Sequence, residues 1–326
     1  MIDTISPLDT TPKRCIRTYF LVSRRNERTE SQNLTRIEEI EAYLSESEDP
    51  VGELLFLCRD DSATVRGQAY RALVEFWQDK RVLPFLQRTL EHEPDSHARG
   101  LVCIGLGRFL DTASEEGVLE ADFRPDPYTP EELQDITLAR HVYDRIFSLV
   151  RSDDTDLEVR RRGLEALGSF AYRPEVAELV EKMYQRPEES AQVSALFAMG
   201  RSGLDKLYRK RLIKHLDDAR LAVQFEAIKA VEWWKLRAAL PFLRKIVLDK
   251  ENPNRGFALE AYMQCDPPPE KARDLQNAVH EMMPDAIFEE VIPDIEDRFL
   301  DALELGDGNE DIQGLFDNDP LDDPES

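Results

Sequence analysis

Long apolar runs, glycine, cysteine and positive charge are all in short supply in this chain of 326 residues. The longest stretch without a charge runs only from Ser190 to Gly200, too short to cross a bilayer. No signal peptide is expected either, because Lys13, Arg14 and Arg17 lead into an apolar run that ends at Val22. Fourteen glycines are few for a Gly-rich cofactor fold or a barrel with many tight turns. Four scattered cysteines, Cys15, Cys58, Cys103 and Cys265, form neither a CxxC motif nor a disulfide framework, and read as reduced thiols of a cytoplasmic protein. Nucleotide and hydrolase signatures (GxGxxG, Walker A, GxSxG) are absent.

Acid is plentiful. Forty-two Lys and Arg face 66 Asp and Glu, a net charge of -24. Residues 285–326 hold 16 acids and one base, Arg298, so this tail carries -15 and the remaining 284 residues -9. Such a chain is repelled by phosphate backbones, which excludes general nucleic-acid binding. One stretch runs the other way: Lys13 to Arg28 holds six bases and one acid.

Self-similarity sets the architecture. The segment VRRRGLEALG, starting at Val159, has counterparts starting at Val65, Ala98, Ala191, Val223 and Asn254. The intervals are 33, 61, 32, 32 and 31 residues, the long one being close to two periods. Aligned, these segments give one column of small residues (Ala69, Val102, Gly163, Ala195, Ala227, Ala258) and, three residues on, another (Ala72, Gly105, Ala166, Ala198, Ala230, Ala261). Beside them run large apolar columns, Tyr70 to Leu259 and Leu73 to Tyr262. Together they make a buried helical stripe whose small residues allow close approach of a neighbour. Polar turns such as Asp60-Asp61-Ser62 precede each stripe, and another amphipathic helix precedes each turn.

Two helices per 30-odd residues predict an all-α, right-handed α-solenoid, an armadillo-like superhelix of about six or seven antiparallel helix pairs. The Val-Arg, spaced Ala and Ala-Leu-Gly of Val159 to Gly168, and Val65-Arg66 with Ala69, Ala72 and Leu73, resemble the HEAT repeat superfamily. In particular they resemble the short bacterial HEAT-like repeats named after phycobilisome lyases. Later copies drift, with Gln192 and Gln224 in the Arg column and Glu232 in place of the last Gly. The expected division is a basic N-terminal extension over 1–35, a solenoid over 36–284 with an insertion at about 111–130, and a largely disordered acidic tail over 285–326.

Sites follow from the same alignment. The resemblance implies that Arg66, Arg99, Arg160 and Arg255 pair with the preceding acidic turns, Asp61 and Asp156 among them. The HEAT-like di-iron hydroxylases carry His-Glu at helix starts. Here the His-Glu dipeptides are His92-Glu93, in a turn, and His280-Glu281, beyond the last clear repeat, so neither a metal nor another cofactor is expected and the histidines read as surface groups. Asp307 to Ile312 imitates a calcium loop but lacks its glycine and final glutamate.

Second helices line the concave side of such solenoids. Ile104, Phe197 and Trp233 break otherwise polar columns there, with Arg108 and Arg201 in the column of Trp233, and read as anchors for a protein partner. Cover by the insertion or a terminal segment is the other account of these residues. Lys206, Arg209, Lys210, Arg211 and Lys214 form a basic cluster, with Leu204, Leu207, Tyr208, Leu212 and Leu216 expected inward. The cluster is either a solvated face or a seat for an acidic segment. The tail has apolar motifs suited to such docking, Phe299, Leu300 and Leu303, then Ile312, Leu315 and Phe316. The expected function is that of a cytoplasmic bacterial scaffold or adaptor, not an enzyme, which binds a protein along its concave surface and is modulated by its tail. The alternative is a phycobilin-lyase-like assembly or cofactor-attachment factor.

Overall fold

The computed structural model describes residues 28–42, 47–115, 130–202 and 206–282. These residues form fourteen α-helices and three short 3-10 turns, with no strand among them. In order the helices are α1 (Glu30–Glu41), α2 (Pro50–Leu57), α3 (Ala63–Leu73), α4 (Val82–His92), α5 (Ser96–Glu115), α6 (Pro130–Arg151) and α7 (Leu157–Ala166). Then come α8 (Pro174–Tyr184), α9 (Glu189–Arg201), α10 (Lys206–His215), α11 (Leu221–Trp233), α12 (Leu240–Leu248), α13 (Arg255–Gln264) and α14 (Pro269–Met282). None is long and apolar enough to cross a membrane.

Local signals start and stop these helices. Thr29 and Gln32 close a capping box at α1, while Asp49, Ser62 and Asp156 accept from backbone N–H groups at the starts of α2, α3 and α7. Helix α11 ends in a left-handed Lys235 (φ 49°), with the N–H of Lys235 on the Glu232 carbonyl and that of Leu236 on the Val231 carbonyl. That pattern closes the last turn without a glycine.

The helices pair as α2/α3, α4/α5, α6/α7, α8/α9, α10/α11 and α12/α13, an α-solenoid of six pairs among the described residues. Helix α1 packs on α3, as the second helix of a preceding pair would, and α14 packs on α12, as the first helix of a following one. Among the described residues the array thus begins and ends in mid-pair. From α3 to α13 each second helix lies closely against the next, whereas most of the first helices meet one another far less. Closer spacing on one side makes that side the inner one. A Cβ on Gly107 of α5 would lie 2.8 Å from the Ala166 Cα of α7, and one on Gly200 2.7 Å from the Ala230 Cβ of α11, which explains the small columns. The two apolar columns are buried from end to end, Leu259 alone remaining half-buried. Each fully buried leucine among them, such as Leu106 or Leu167, contributes roughly 1.5–3 kcal/mol.

The boundaries move in two places. The N-terminal extension does not reach residue 35, because the capping box starts α1 at Glu30 and buries Asn33, Ile37 and Ile40. The insertion does not start at 111, because α5 continues to Glu115 and buries Ala113. Residues 116–129 and the tail 285–326 lie outside the described residues.

The arginine column is a structural ladder, but its partners differ from the acids expected. Arg66, Arg99 and Arg160 turn back to the carbonyls at the end of the preceding helix, whereas Arg255 has Nε and Nη2 buried without an acceptor among the described residues. Arg66 donates to the Asp60 and Asp61 carbonyls (2.9 and 3.1 Å), Arg99 to the Leu90 carbonyl (2.7 Å) and Arg160 to the Val150 carbonyl (3.3 Å). Gln192 and Gln224, which replace arginine, do the same at the Arg186 and Leu216 carbonyls (2.9 and 3.0 Å). The carboxylate on Arg66 is Glu93 and that near Arg160 is Asp153 (3.2 Å). Asp156 instead caps its own helix. A carbonyl at a helix end needs a donor whatever the acid nearby, so the backbone contact is what recurs.

Candidate functional site

The inner face of α7, α9 and α11 carries the most developed constellation. Its upper edge is a chain of contacts that starts on α5. The Asp111 carboxylate accepts from the Ser169 hydroxyl and, at 3.0 Å, from Arg201 Nη2. The Arg201 guanidinium lies 4.9 Å from the Trp233 ring centroid, a cation–π arrangement. The neighbouring Trp234 turns inward, its indole N–H donating to the Gly200 carbonyl at 2.5 Å. Trp233 is therefore held from one side and open on the other, with 61% of its surface exposed. Phe197, one turn before Arg201, is exposed as well.

The lower edge is acidic. Glu165 of α7 is almost enclosed and accepts from the Ser194 hydroxyl of α9 (2.5 Å), while Arg162 Nη1 lies at 2.7 Å on its other oxygen. Glu226 of α11 occupies the next position along. Burial, and then the charge of Glu165, push its carboxyl up to about 7, with Lys229 opposing. The surface is thus an aromatic shelf above an acidic strip in which the Glu226 carboxyl is held above its ordinary range.

Of the residues expected as anchors, the structure brings Phe197, Arg201 and Trp233 together. Ile104 is half-buried on α5, so it is not an open anchor. Arg108 sits apart from the shelf, exposed and paired with Glu75 in the 3-10 turn that follows α3. Asp111, Ser169, Glu165, Ser194 and Glu226 went unrecognised in the sequence. Asp111 falls within the expected insertion, and the others occupy columns whose register gives no sign of contact between helices.

The basic cluster is on α10 but is not a uniform charged face. Arg211 is committed to Glu181 (2.5 Å) and lies over the Tyr184 ring at 4.4 Å, Arg209 is half-buried, and Lys206, Lys210 and Lys214 are exposed. Tyr208, Leu212 and Leu216 turn inward as expected, but Leu207 does not, being 51% exposed. The tail residues Phe299, Leu300, Leu303, Ile312, Leu315 and Phe316 lie outside the described residues. His215 is not a surface group either: it is buried, with the Tyr184 hydroxyl on Nε2 and Asp218 on Nδ1, both at 2.9 Å. Among the described residues no group of three or more His, Cys, Asp and Glu side chains is placed to hold a metal ion. Burial pushes the Cys103 and Cys265 thiols up to about 12 and the Cys58 thiol higher, so none is poised as a nucleophile.

Fold and surface together define an all-helical solenoid with a shaped inner face. No protein-family model matches the chain, and no curated protein matches it. Among solved structures it is similar to a chain of the complex of CpcE and CpcF of phycocyanin lyase from Nostoc sp. PCC7120. The similarity has 16% identity and a TM-score of 0.49, covering 87% of this chain and all of that one. This finding overturns the expectation that the chain is not an enzyme, since the protein it is similar to is named a lyase.

Proposed function

We propose that this chain binds a protein partner along its inner face, with Trp233 as the principal anchor and Phe197 and Arg201 beside it. The observation that supports the reading is the fixed exposure of Trp233. An indole held by Arg201, which Asp111 holds in turn, loses little freedom on binding, so its apolar surface is available at low entropic cost. In the simplest form the chain is a scaffold or adaptor. The test is affinity capture with the full chain and with Trp233→Ala, at matched melting temperature. We expect a partner held by the first to be lost, by tenfold or more in affinity, from the second. An identical set of proteins at identical yield on both would refute the reading.

A second reading gives the same surface a more specific task, assembly of a partner or attachment of a cofactor to it in the manner of the phycobilin lyases. The repeat motif at Val159 to Gly168 favours it. Visible absorbance in the captured complex that passes to the partner on incubation would support this reading over a bare scaffold. A colourless complex that transfers nothing would rule it out.

A further inference from the structure

On α11, Glu226, Lys229 and Trp233 fall at i, i+3 and i+7, so they share one face of the helix and span about 10 Å along it. Each basic side chain on the inner face of α7, α9 and α11 is already matched by a carboxylate. Arg161 and Arg162 pair with Glu158 and Glu165, Arg201 pairs with Asp111, and Lys229 donates to Glu232 of its own helix at 2.5 Å. What is left over is acid. Glu165 has both oxygens occupied, by Ser194 and Arg162. Glu226 is half-buried and has no hydrogen bond or ion pair among the described residues, nor has the exposed Glu260 of α13, in the column of Lys229.

The neighbours of Glu226 are aromatic in two directions. Two turns along its own helix stands Trp233. Across on the next second helix, Phe257 occupies the place that Glu226 has on α11. Phe257 meets Phe225 edge to face, ring centroids 4.8 Å apart, and remains 44% exposed. A carboxylate half-buried among such groups without a donor is costly as an ion, and burial and the charge of Glu165 already hold this one up to about 7. A cationic side chain arriving from solution relieves that cost, while its aliphatic stem lies on an aromatic ring. A neutral or acidic group relieves nothing.

We infer that the partner segment bound by the inner face carries a lysine or arginine that seats on Glu226, with an apolar or aromatic side chain on Trp233. This rests on the reading that Trp233 anchors a protein partner, and adds the partner's charge and its spacing. A separation of about 10 Å corresponds to about three residues in an extended segment and about seven, two turns, in a helical one. The matched arginines and lysine supply the specificity: with no spare positive charge among α7, α9 and α11, an acidic segment finds no counter-ion there.

Selection of displayed random peptides of about twelve residues on the immobilised full chain tests this. We expect enriched sequences with Lys or Arg about three or about seven positions from an aromatic or large aliphatic residue. For a synthetic copy of one, replacing that base by norleucine should weaken binding to the parent chain by tenfold or more, read by fluorescence anisotropy. On Glu226→Gln the same replacement should change affinity less than about twofold, whereas Glu178→Gln, on the outer helix α8, should behave as the parent. Trp233→Ala, at matched melting temperature, should bind none of the peptides. Peptides lost on Trp233→Ala but enriched without a base, or with an acid in its place, overturn the inference and leave the anchor reading standing. So does a base whose replacement matters as much on Glu226→Gln as on the parent. Light scattering that finds a dimer dissociated by Trp233→Ala assigns the face to a second copy of this chain and overturns it too. Peptides held equally by Trp233→Ala, or a library from which nothing is enriched, overturn both readings.

Discussion

Removing the charge of Glu93 should damage the second repeat far more than removing that of an exposed glutamate. The Glu93 side chain is 3% exposed and accepts four hydrogen bonds, from Arg66 Nε and Nη2, from the Tyr70 hydroxyl at 2.6 Å and from the Asp95 N–H at 3.1 Å. Glu93→Gln keeps the shape but leaves one oxygen for four donors and turns an N–H₂ toward the rest. Arg66, 16% exposed, then carries an enclosed charge without its counter-ion. Breaking one side of such a pair costs about 3 kcal/mol. The comparison is Glu178→Gln, which removes an exposed partner of Lys182 and should change nothing measurable.

Because a repeat array does not unfold all at once, urea titration should be followed by hydrogen exchange in α3 to α5. Acid gives a second reading. Burial raises the Glu93 pKa, but Arg66, Tyr70 and the Asp95 N–H outweigh it and hold the carboxyl below its ordinary value. Its stabilisation is therefore present above the ordinary carboxylate pKa and lost as pH falls toward the folded one, and the Gln variant should lack that acid-dependent component. A loss below about 1 kcal/mol for Glu93→Gln would refute the account of the ladder as an energetic element.

Other perturbations bear on other parts of the molecule. Glu226 has a raised pKa, about 7 when folded, so its neutral form favours folding below pH 4.5 and that contribution disappears as pH rises through 7. Glu226→Gln should remove a pH-dependent component on the order of 2–3 kcal/mol, seen as a flat melting temperature between pH 5 and 8. Gly107→Ala places a methyl 2.8 Å from the Ala166 backbone and should cost about 2 kcal/mol by forcing α5 from α7; an unchanged urea midpoint would show that the helices can part freely. Cys58, Cys103 and Cys265 should resist a thiol reagent until the chain unfolds, as labelling with and without urea would show.

The helical frame was legible because one side of each second helix must tolerate a neighbour's backbone. That requirement leaves alanine and glycine at fixed positions even where the rest has drifted. The ladder arginines were legible as a column, but their acceptors were not: backbone carbonyls carry no sequence signal, and Glu93 belongs to a different repeat from Arg66. On the inner face, Trp233 stood out as the odd member of a polar column. Asp111 did not, because an acid near a proline-rich stretch reads as loop until the helix beneath it is seen to continue.

The contact between Asp111 and Arg201 joins α5 to α9 over the top of α7, with Ser169 beneath it. In a stack whose members touch only their immediate neighbours, bending is shared among the joints like extension among springs in series. A strap that skips one member makes two joints move as one and stiffens that stretch against changes of curvature. Flexure of this solenoid should therefore concentrate on either side of the strap, toward α3 and beyond α9. The shelf around Trp233 sits at the boundary between the stiff stretch and the compliant one.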